Sequence, residues 1–498
     1  MIAKTKCGAL CGEQMPGYVQ FLGIPYAKPP VGALRFRKPQ PMEPWDGVRD
    51  AKRYGDYCPQ PGKPATAVNY LKASEDCLTL NIFTPACDEK RRPVVVWIHG
   101  GAYLTGCASG ASRNGGRMCI DADIVVVTIQ YRLGAFGQID FGSLSGAKGR
   151  FDTNCGTWDQ VAAVNWVIEN IPMFGGDPDC ITLLGESAGG SSVLTLITTP
   201  YLKGKIKRAI LESPAPHFIH TRENGRIAAQ DVLRYLHLPE EEAIRLADLP
   251  AEVLVDAVNE SECGYQNVQP FLIPTAPVVD GDLIPELPYD AVMHGAADGT
   301  QVLIGTTMDE GSMFALGRKG DILPTTPEQL EHFFSSHPQS AKQKILGLYP
   351  QYPKKRAFQE LGKEIVFHLP SVELADRLAK AGTVYMFRFD YVFPVLRLLG
   401  LRAAHCTNSV LISGARRSGI LKVYGLFSGE TGKKLTEFVH QNWCRFIATG
   451  NPNAPGTENW PEYGKESATF LIDRHGSVVY APSKREQEAY GVIRPYGN

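Results

Sequence analysis

Short, continuously apolar runs alternate with amphipathic stretches along most of the chain. Apolar runs of five to seven residues are typical of strands that are buried on both faces of a sheet. Such runs occupy residues 94–98, 124–129, 180–184, 208–212, 301–305 and 383–389. Helical patterns follow several of them, at residues 159–170, 191–197, 225–260, 325–380 and 430–449. Strands separated by helices predict an α/β fold with a mostly parallel central sheet flanked by helices.

The two ends of the chain carry different patterns. Residues 1–60 are rich in Gly, Pro and turn signals, which predicts short antiparallel strands at a sheet edge. Residues 63–73 are expected to form a surface loop, and residues 78–83 alternate like a strand. The stop signal Gly450-Asn451-Pro452 follows residues 430–449, which we interpret as the last helix. Because no linker divides the chain, we predict a single domain over residues 1–498.

Charge and hydropathy narrow the classes of partner. The chain has 51 basic and 52 acidic residues and a net charge of -1, so no basic field is available for nucleic acid. No apolar run approaches the ~20 residues of a membrane span, so no membrane partner is expected. Residues 1–10 lack an apolar signal core, and we therefore expect a cytoplasmic protein.

Cysteine and histidine spacing argues against a disulfide framework and against a metal site. The 12 cysteines lie in a long chain without a visible leader, and Cys7 and Cys11 have no nearby histidine. The H-E-x-x-H motif of zinc enzymes does not occur. We therefore predict neither a metal nor a cofactor.

The motif Gly185-x-Ser187-x-Gly189 lies where the apolar run 180–184 gives way to a helical pattern. This is the context of a nucleophile elbow, in which two glycines let the backbone turn sharply and expose the serine hydroxyl. The N-terminus of the following helix adds unpaired N–H groups and a positive dipole end. Ser187 is the candidate nucleophile.

A serine nucleophile requires a base, and the base requires an acid that fixes its tautomer. With the chain order Ser, acid, His, the run 301–305 is followed by Asp309 and Glu310, and the run 383–389 by His405. The residues alone do not separate Asp309 from Glu310. Less favoured acids are Asp280 and Asp282, and less favoured histidines are His332, His337, His368, His440 and His475.

The segment His99-Gly100-Gly101-Ala102 follows the run 94–98. Consecutive glycines after a strand allow backbone N–H groups to point into a site without obstruction by side chains. We predict that the N–H groups of Gly100, Gly101 and Ala188 form an oxyanion hole. His99 itself is interpreted as structural.

With these residues placed, the sequence resembles the type-B carboxylesterase family of α/β hydrolases, which includes cholinesterases and bacterial para-nitrobenzyl esterases. The likeness extends from Gly8 to about Tyr463. It rests on ordered motifs at residues 21–27, 35–36, 74–82, 99–101, 131–134, 159–160, 170–178, 185–190, 309–311 and 450–452.

The resemblance implies an α/β-hydrolase fold whose helical insertions, at about 215–300 and 311–382, cover the active site. It implies Ser187, Glu310 and His405 as the catalytic triad, and so selects Glu310 over Asp309. It also implies that Ser213 supports the triad from behind, and we add Glu186, beside the nucleophile, as a second supporting residue.

Three positions depart from the family pattern. Asn408 stands where relatives usually carry Glu, Cys406 where a small residue often follows the catalytic histidine, and Pro214 where Gly usually follows the supporting serine. Cys58 and Cys77 match a pair that forms a disulfide in secreted relatives. Since no leader is visible here, we expect both to be thiols in the cell.

The complete set of reacting groups predicts a serine hydrolase that cleaves small carboxylic esters through an acyl-enzyme intermediate. An amide or carbamate hydrolase with the same triad is the alternative within enzymes. A catalytically dead, cholinesterase-like binding protein is less favoured, because such a scaffold needs neither Ser187 nor the glycine loop. Phe271 and Phe314 are candidate pocket aromatics, although an aromatic residue more often belongs to the core.

Overall fold

The computed structural model describes residues 1–110, 113–268, 271–314, 322–414, 419–456, 459–491 and 493, without side chains for residues 262–268 and 419–428. The strands are β1 (Ile2–Lys4), β2 (Ala9–Cys11), β3 (Glu13–Met15), β4 (Tyr18–Pro25), β5 (Val48–Asp50), β6 (Thr79–Thr84), β7 (Arg92–Ile98), β8 (Val125–Ile129), β9 (Gly176–Glu186), β10 (Arg208–Glu212), β11 (Gln301–Thr307), β12 (Val384–Phe389), β13 (Ala468–Ile472) and β14 (Ser477–Tyr480).

The α-helices lie mainly between the strands of the second half of the chain. They are α1 (Gly116–Ala122), α2 (Gly134–Gly137), α3 (Cys155–Asn170), α4 (Ala188–Thr198), α5 (Arg222–Tyr235), α6 (Ala251–Val268), α7 (Pro288–Met293), α8 (Pro327–Ser335), α9 (Gln339–Leu346), α10 (Lys355–Lys363), α11 (Leu369–Leu378), α12 (Pro394–Leu398), α13 (Ser409–Ile412), α14 (Gly419–Thr449) and α15 (Lys484–Tyr490).

Eleven strands form one sheet in the order β14-β13-β12-β11-β10-β9-β7-β8-β6-β4-β3. The seven strands from β13 to β8 are parallel, and the strands outside them pair antiparallel. The remaining strands β1, β2 and β5 form a small separate sheet. The mostly parallel sheet flanked by helices is therefore confirmed, with the antiparallel edge that the turn-rich N-terminal region predicts.

Both faces of the central sheet are covered, which explains the continuous apolar runs. Along β7, Val94, Val96 and Ile98 pack into one core cluster, whereas Val95 and Trp97 pack into another on the opposite face. All five residues are at most 3% exposed. A strand buried on both faces has no polar side, so its sequence does not alternate.

The helical pattern at residues 430–449 differs from the structure in two ways. Helix α14 begins earlier, at Gly419, and Gly429 at φ 54° and ψ -139° kinks it just before the predicted start. In addition α15 follows it, so α14 is not the last helix. A seven-residue helix near the chain end carries too short a pattern to stand out in the sequence.

Within the described residues, no helix is both long and apolar enough to cross a membrane.

Cys58 and Cys77 are buried and lie side by side as thiols. The hydrogen bond between the two thiols and their burial hold the pKa of Cys77 well above its usual range.

Candidate active site

Ser187 lies at the turn between β9 and α4, in the backbone conformation φ 59° and ψ -127°. The two glycines of the motif are required by close contact: a Cβ on Gly185 would lie 2.1 Å from the Gly189 carbonyl oxygen, and one on Gly189 would lie 2.3 Å from the Ile98 carbonyl oxygen. The Ser187 N–H donates to the Glu212 carbonyl at 2.9 Å, which ties the turn to β10. The strained turn predicted from the sequence is therefore present.

Backbone pairing brings the loops after β11 and β12 together. Asp309 forms a parallel bridge with Ala404, and its N–H donates to the Ala403 carbonyl at 2.9 Å. This contact places the residues that follow, Glu310 and His405, side by side. The Glu310 carboxylate accepts a hydrogen bond through Oε2 from Nδ1 of His405. Two residues 95 positions apart are thus in direct contact.

The Glu310 carboxylate is completely buried and held by three donors. Its Oε1 accepts from the Ser213 hydroxyl at 2.6 Å and from the Thr307 N–H at 2.6 Å, while Oε2 accepts from His405. Burial alone raises the pKa of this carboxyl, but the charge of His405 and the three hydrogen bonds outweigh it and hold the pKa below its usual range. Glu310 is therefore a carboxylate at neutral pH.

The other ring nitrogen of His405 faces Glu186, the residue before Ser187. Nε2 lies 3.1 Å from Oε1 of Glu186 but has no hydrogen-bond partner among the described residues, and the side chain is 2% exposed. Burial disfavours the imidazolium, yet the acidic groups of Cys406, Glu310 and Glu186 outweigh it and hold the pKa of His405 well above its usual range. The phenyl rings of Phe314 and Phe367 pack against the imidazole, with centroids at 4.9 and 4.7 Å.

Asp309 points away from the imidazole. Its carboxylate, 1% exposed, pairs with Arg356 Nη2 at 2.6 Å and with Arg402 Nε at 3.4 Å. Of the two neighbouring acids that the residues alone could not separate, only Glu310 contacts His405.

The glycine loop after β7 lies against the nucleophile turn. A Cβ on Gly100 would lie 2.3 Å from the Glu186 carbonyl oxygen and 3.1 Å from Cβ of Ser187. Gly101 has φ 116°, and a Cβ there would lie 2.2 Å from the Thr105 carbonyl oxygen. Ala188 is the buried first residue of α4. Gly100 and Ala188 thus lie beside Ser187, and Gly101 is the next residue of the same loop.

His99 is buried beneath this loop. Its ring stacks on Tyr131 at 4.4 Å between centroids, and its Nδ1 lies 3.0 Å from the Gly100 carbonyl oxygen. Burial and the positive charge of Arg113 lower the pKa of His99 to about 3. A neutral, stacked imidazole fits the structural role expected for His99.

The less favoured candidates for the base and the acid, and one candidate pocket aromatic residue, make contacts with residues other than Ser187, Glu310 and His405. His368 lies between the hydroxyls of Thr306 and Ser483 at 2.9 and 2.6 Å, and Nδ1 of His440 lies 2.8 Å from the Ile412 carbonyl oxygen. His475 is exposed between β13 and β14. Asp280 accepts from Asn154 at 2.8 Å, and Asp282 accepts from Tyr201 at 2.6 Å. Phe271 packs edge-on against Phe333 at 4.7 Å.

Two contacts near His405 are not predicted by the sequence. Cys406, at φ 66°, directs its Sγ to Oε1 of Glu186 at 2.8 Å. Glu212 is buried behind the turn, where it accepts hydrogen bonds from Asn408 and, at 2.6 Å, from Trp443 Nε1. Burial raises the pKa of Glu212 to about 8. Both contacts involve positions that depart from the family pattern, and that departure is the only signal of them in the sequence.

Comparison with known proteins places this geometry in a family. A model of the carboxylesterase family matches residues 1–490. The chain is 33% identical to the para-nitrobenzyl esterase of Bacillus subtilis (strain 168), covering 98% of each protein, and 33% identical to the phenmedipham hydrolase of Pseudarthrobacter oxydans, covering 95% of this chain and 94% of that one.

Solved structures agree with the sequence relatives. A PNB esterase structure superposes with a TM-score of 0.85 at 33% identity, and a carboxylesterase of Geobacillus stearothermophilus with 0.83 at 34%, each covering 98% of this chain and 99% of the other. The fold is the α/β-hydrolase fold, and the protein is a serine hydrolase that cleaves carboxylic esters. The chain belongs to the carboxylesterase family.

Proposed function

We propose that Ser187, His405 and Glu310 carry out ester hydrolysis in this protein. In the first step His405 Nε2 takes the hydroxyl proton while Ser187 Oγ attacks the ester carbonyl carbon. The alcohol leaves with that proton, and the acyl group stays on Ser187. His405 then activates water, which releases the carboxylic acid and restores the serine.

The observation that carries this assignment is the hydrogen bond from His405 Nδ1 to the Glu310 carboxylate. In the neutral imidazole, a proton held on Nδ1 leaves the lone pair on Nε2, which lies 3.1 Å from Oε1 of Glu186, the residue before Ser187. Catalytic hydrogen bonds to the nucleophile are commonly loose in a free enzyme and tighten when substrate binds. The Ser213 and Thr307 donors fix the carboxylate in turn.

The N–H groups of Gly100, Gly101 and Ala188 are proposed to stabilise the oxyanion of the tetrahedral intermediate. Removing one such donor typically costs ~10²–10³ in rate. Gly100 and Gly101 carry no side chain between the loop and Ser187, and Ala188 begins a helix whose N-terminus favours negative charge.

We infer that the substrates are small, neutral esters. Glu186 and Glu310 place two acidic groups next to His405, so an anionic acyl or alcohol group is disfavoured near the scissile bond. Phe314 and Phe367 add apolar surface beside the imidazole. Both phenylalanines lie in the segment 311–382, which we propose covers the site together with residues 215–300.

The test is hydrolysis of nitrophenyl esters of increasing acyl length by the wild-type chain and by Ser187→Ala. We expect wild-type turnover, and a loss of several orders of magnitude in the variant. Ser335→Ala is the matched control, because that serine is exposed and its hydroxyl donates to the His332 carbonyl of its own helix at 2.6 Å. Equal activity of Ser187→Ala and wild type would overturn the assignment.

A wider substrate panel distinguishes the alternatives within the enzyme class. It contains para-nitrobenzyl esters and phenmedipham, the compounds that two relatives are named for, together with anilides. Cleavage of anilides at rates equal to those of esters would favour amide hydrolysis on the same triad.

A further inference from the structure

Three groups with metal-ligating atoms converge beside the nucleophile turn. Glu186 offers a carboxylate oxygen, His405 a ring nitrogen and Cys406 a sulfur, and these atoms all lie within 4.8 Å of one another. Oε1 of Glu186 is 2.8 Å from the Cys406 sulfur and 3.1 Å from His405 Nε2. Among the described residues, no other group of three such side chains meets this criterion.

The hydrogen bonding of the His405 ring matches that of a metal-binding histidine. In metal sites the ligating imidazole commonly donates its other N–H to a carboxylate, which fixes the ring and leaves the lone pair on the ligating nitrogen. His405 makes that bond to Glu310, and Nε2, on a side chain 2% exposed, has no hydrogen-bond partner in the described ranges. This buried nitrogen makes no hydrogen bond within those ranges and lies 3.1 Å from Oε1 of Glu186, so it faces the space that Glu186 and Cys406 border.

The ligand types select the metal. One thiolate, one imidazole and one carboxylate suit Zn²⁺ and its thiophilic relatives, whereas Mg²⁺ and Ca²⁺ prefer oxygen ligands alone. Zinc ligands lie ~2.0–2.3 Å from the ion, so three ligand atoms within 4.8 Å of one another can close on one ion by small side-chain rotations. Cys406 and Ser187 are partly exposed, which gives the ion a route in.

We propose that Glu186, His405 and Cys406 form a reversible inhibitory site for Zn²⁺. The ion takes the lone pair on His405 Nε2, which Ser187 needs as its base, and so stops ester hydrolysis until the ion is removed. That inhibitory consequence rests on the function proposed above for His405, whereas the binding itself does not.

Binding exchanges protons for the ion. The Cys406 thiol releases its proton to solvent as the Zn–S bond forms, and the imidazolium form of His405 releases its Nε2 proton to solvent as the Zn–N bond forms. In the absence of the ion the thiol donates to Oε1 of Glu186 at 2.8 Å. The cation compensates the thiolate and carboxylate charges together.

The direct test measures binding rather than activity. Cd²⁺, a spectroscopic substitute for Zn²⁺, is titrated into the full chain while the ultraviolet thiolate-to-cadmium charge-transfer band is recorded, and Zn²⁺ is then added in competition. We expect one ion per chain and displacement of cadmium by zinc. Cys406→Ala should abolish the band, and Glu186→Gln should weaken zinc binding by at least ~10–100-fold, the range that loss of even an outer partner of a metal ligand costs.

Cys87→Ser is the matched control, because Cys87 is also a partly exposed thiol but belongs to no metal-ligating group found in the described residues. It should retain both the band and the wild-type zinc affinity. A band that is absent from the wild-type chain, or that survives unchanged in Cys406→Ala, would overturn the proposed site. Circular dichroism of each variant establishes that it is folded.

Inhibition is measured separately, as the zinc concentration that halves each protein's own metal-free rate. Wild type and Cys87→Ser should lose activity over the concentration range in which zinc binds, and a chelator should restore it. Ser187→Ala should bind the metal normally although it is inactive. Binding without inhibition would contradict the proposed role of His405 as base, whereas inhibition unaffected by Cys406→Ala would contradict the zinc site.

Discussion

Glu310→Gln tests whether Glu310 is the acid of the triad, because it changes which ring nitrogen of His405 carries the proton. In the wild type, Ser213 and the Thr307 N–H both donate to Oε1, each at 2.6 Å. The glutamine amide must therefore keep its oxygen at that position, because its NH₂ group cannot accept those two bonds. The NH₂ then occupies the place of Oε2 and faces His405 Nδ1.

This orientation reverses the tautomer of the base. An NH₂ donor next to Nδ1 requires that nitrogen to accept, so the ring proton moves to Nε2 and the lone pair that Ser187 needs is lost. The neutral amide also removes the charge that stabilises the imidazolium. An uncharged replacement of this kind lowers kcat by ~10³–10⁴ in serine hydrolases. Since each tenfold loss of rate corresponds to ~1.36 kcal/mol, the expected loss of kcat raises the activation free energy by about 4 to 5.5 kcal/mol.

The neighbouring substitution Asp309→Asn should lower the stability of the protein but leave kcat nearly unchanged. It removes a charge that pairs with Arg356 and Arg402, whose side chains are 33% and 44% exposed and can be solvated instead. We expect ~1–3 kcal/mol of lost unfolding free energy, because a buried carboxylate with charged partners is replaced. Since Asp309 does not contact His405, kcat should stay within about tenfold of wild type.

Steady-state kinetics on one nitrophenyl ester, with thermal unfolding of each variant, separates the two profiles. Glu310→Gln should remain folded and lose kcat, whereas Asp309→Asn should melt earlier than wild type and retain kcat. If Asp309→Asn lost more kcat than Glu310→Gln at equal thermal stability, the proposed acid would be wrong by one residue.

Two further predictions concern charge and redox state. The pKa of His405 is raised and the base must be neutral, so kcat/KM of the wild type should fall as the pH drops through a midpoint above ~6.5. The variant Glu186→Gln lacks one acidic neighbour of His405, and its pH–rate profile should therefore have a midpoint at lower pH. Cys58 and Cys77 should be thiols in the cell, so mass spectrometry after alkylation at lysis should find both labelled; a quantitative bridge between them would refute this.

The parallel core could be predicted from the sequence because burial on both faces leaves continuous apolar runs. The run 208–212 coincides with β10. Strand ends were less accurate: β9 extends from Gly176 to Glu186, well beyond the apolar run 180–184. Its first residues, Gly176 to Cys180, include polar and partly exposed positions. Only Gly176 of this segment pairs with β7, at Arg92, and an irregularity separates that pair from the regular register that begins at Ile181.

Contacts between distant loops explain what the sequence could not resolve at the site. The choice between Asp309 and Glu310 depends on the pairing of Asp309 with Ala404, and on two arginines that attract the Asp309 carboxylate. The Glu186, His405 and Cys406 cluster likewise joins residues about 220 positions apart, so no metal-ligand spacing exists in the sequence. A spacing rule detects ligands that share one local element, and these do not.

The departure from the family pattern at Asn408 is explained by its hydrogen-bond partner, Glu212. Its amide Nδ2 donates to Oε2 of the buried Glu212, whose Oε1 accepts from Trp443. A glutamate at position 408, as relatives usually carry, would bring a second carboxyl against Glu212, and two such groups in contact must share a proton. The asparagine supplies a donor without a charge, so Glu212 keeps two donors in a buried network. Because the Ser187 N–H bonds to the Glu212 carbonyl, this network also supports the nucleophile turn from behind, which relates a substitution three residues after His405 to the position of Ser187.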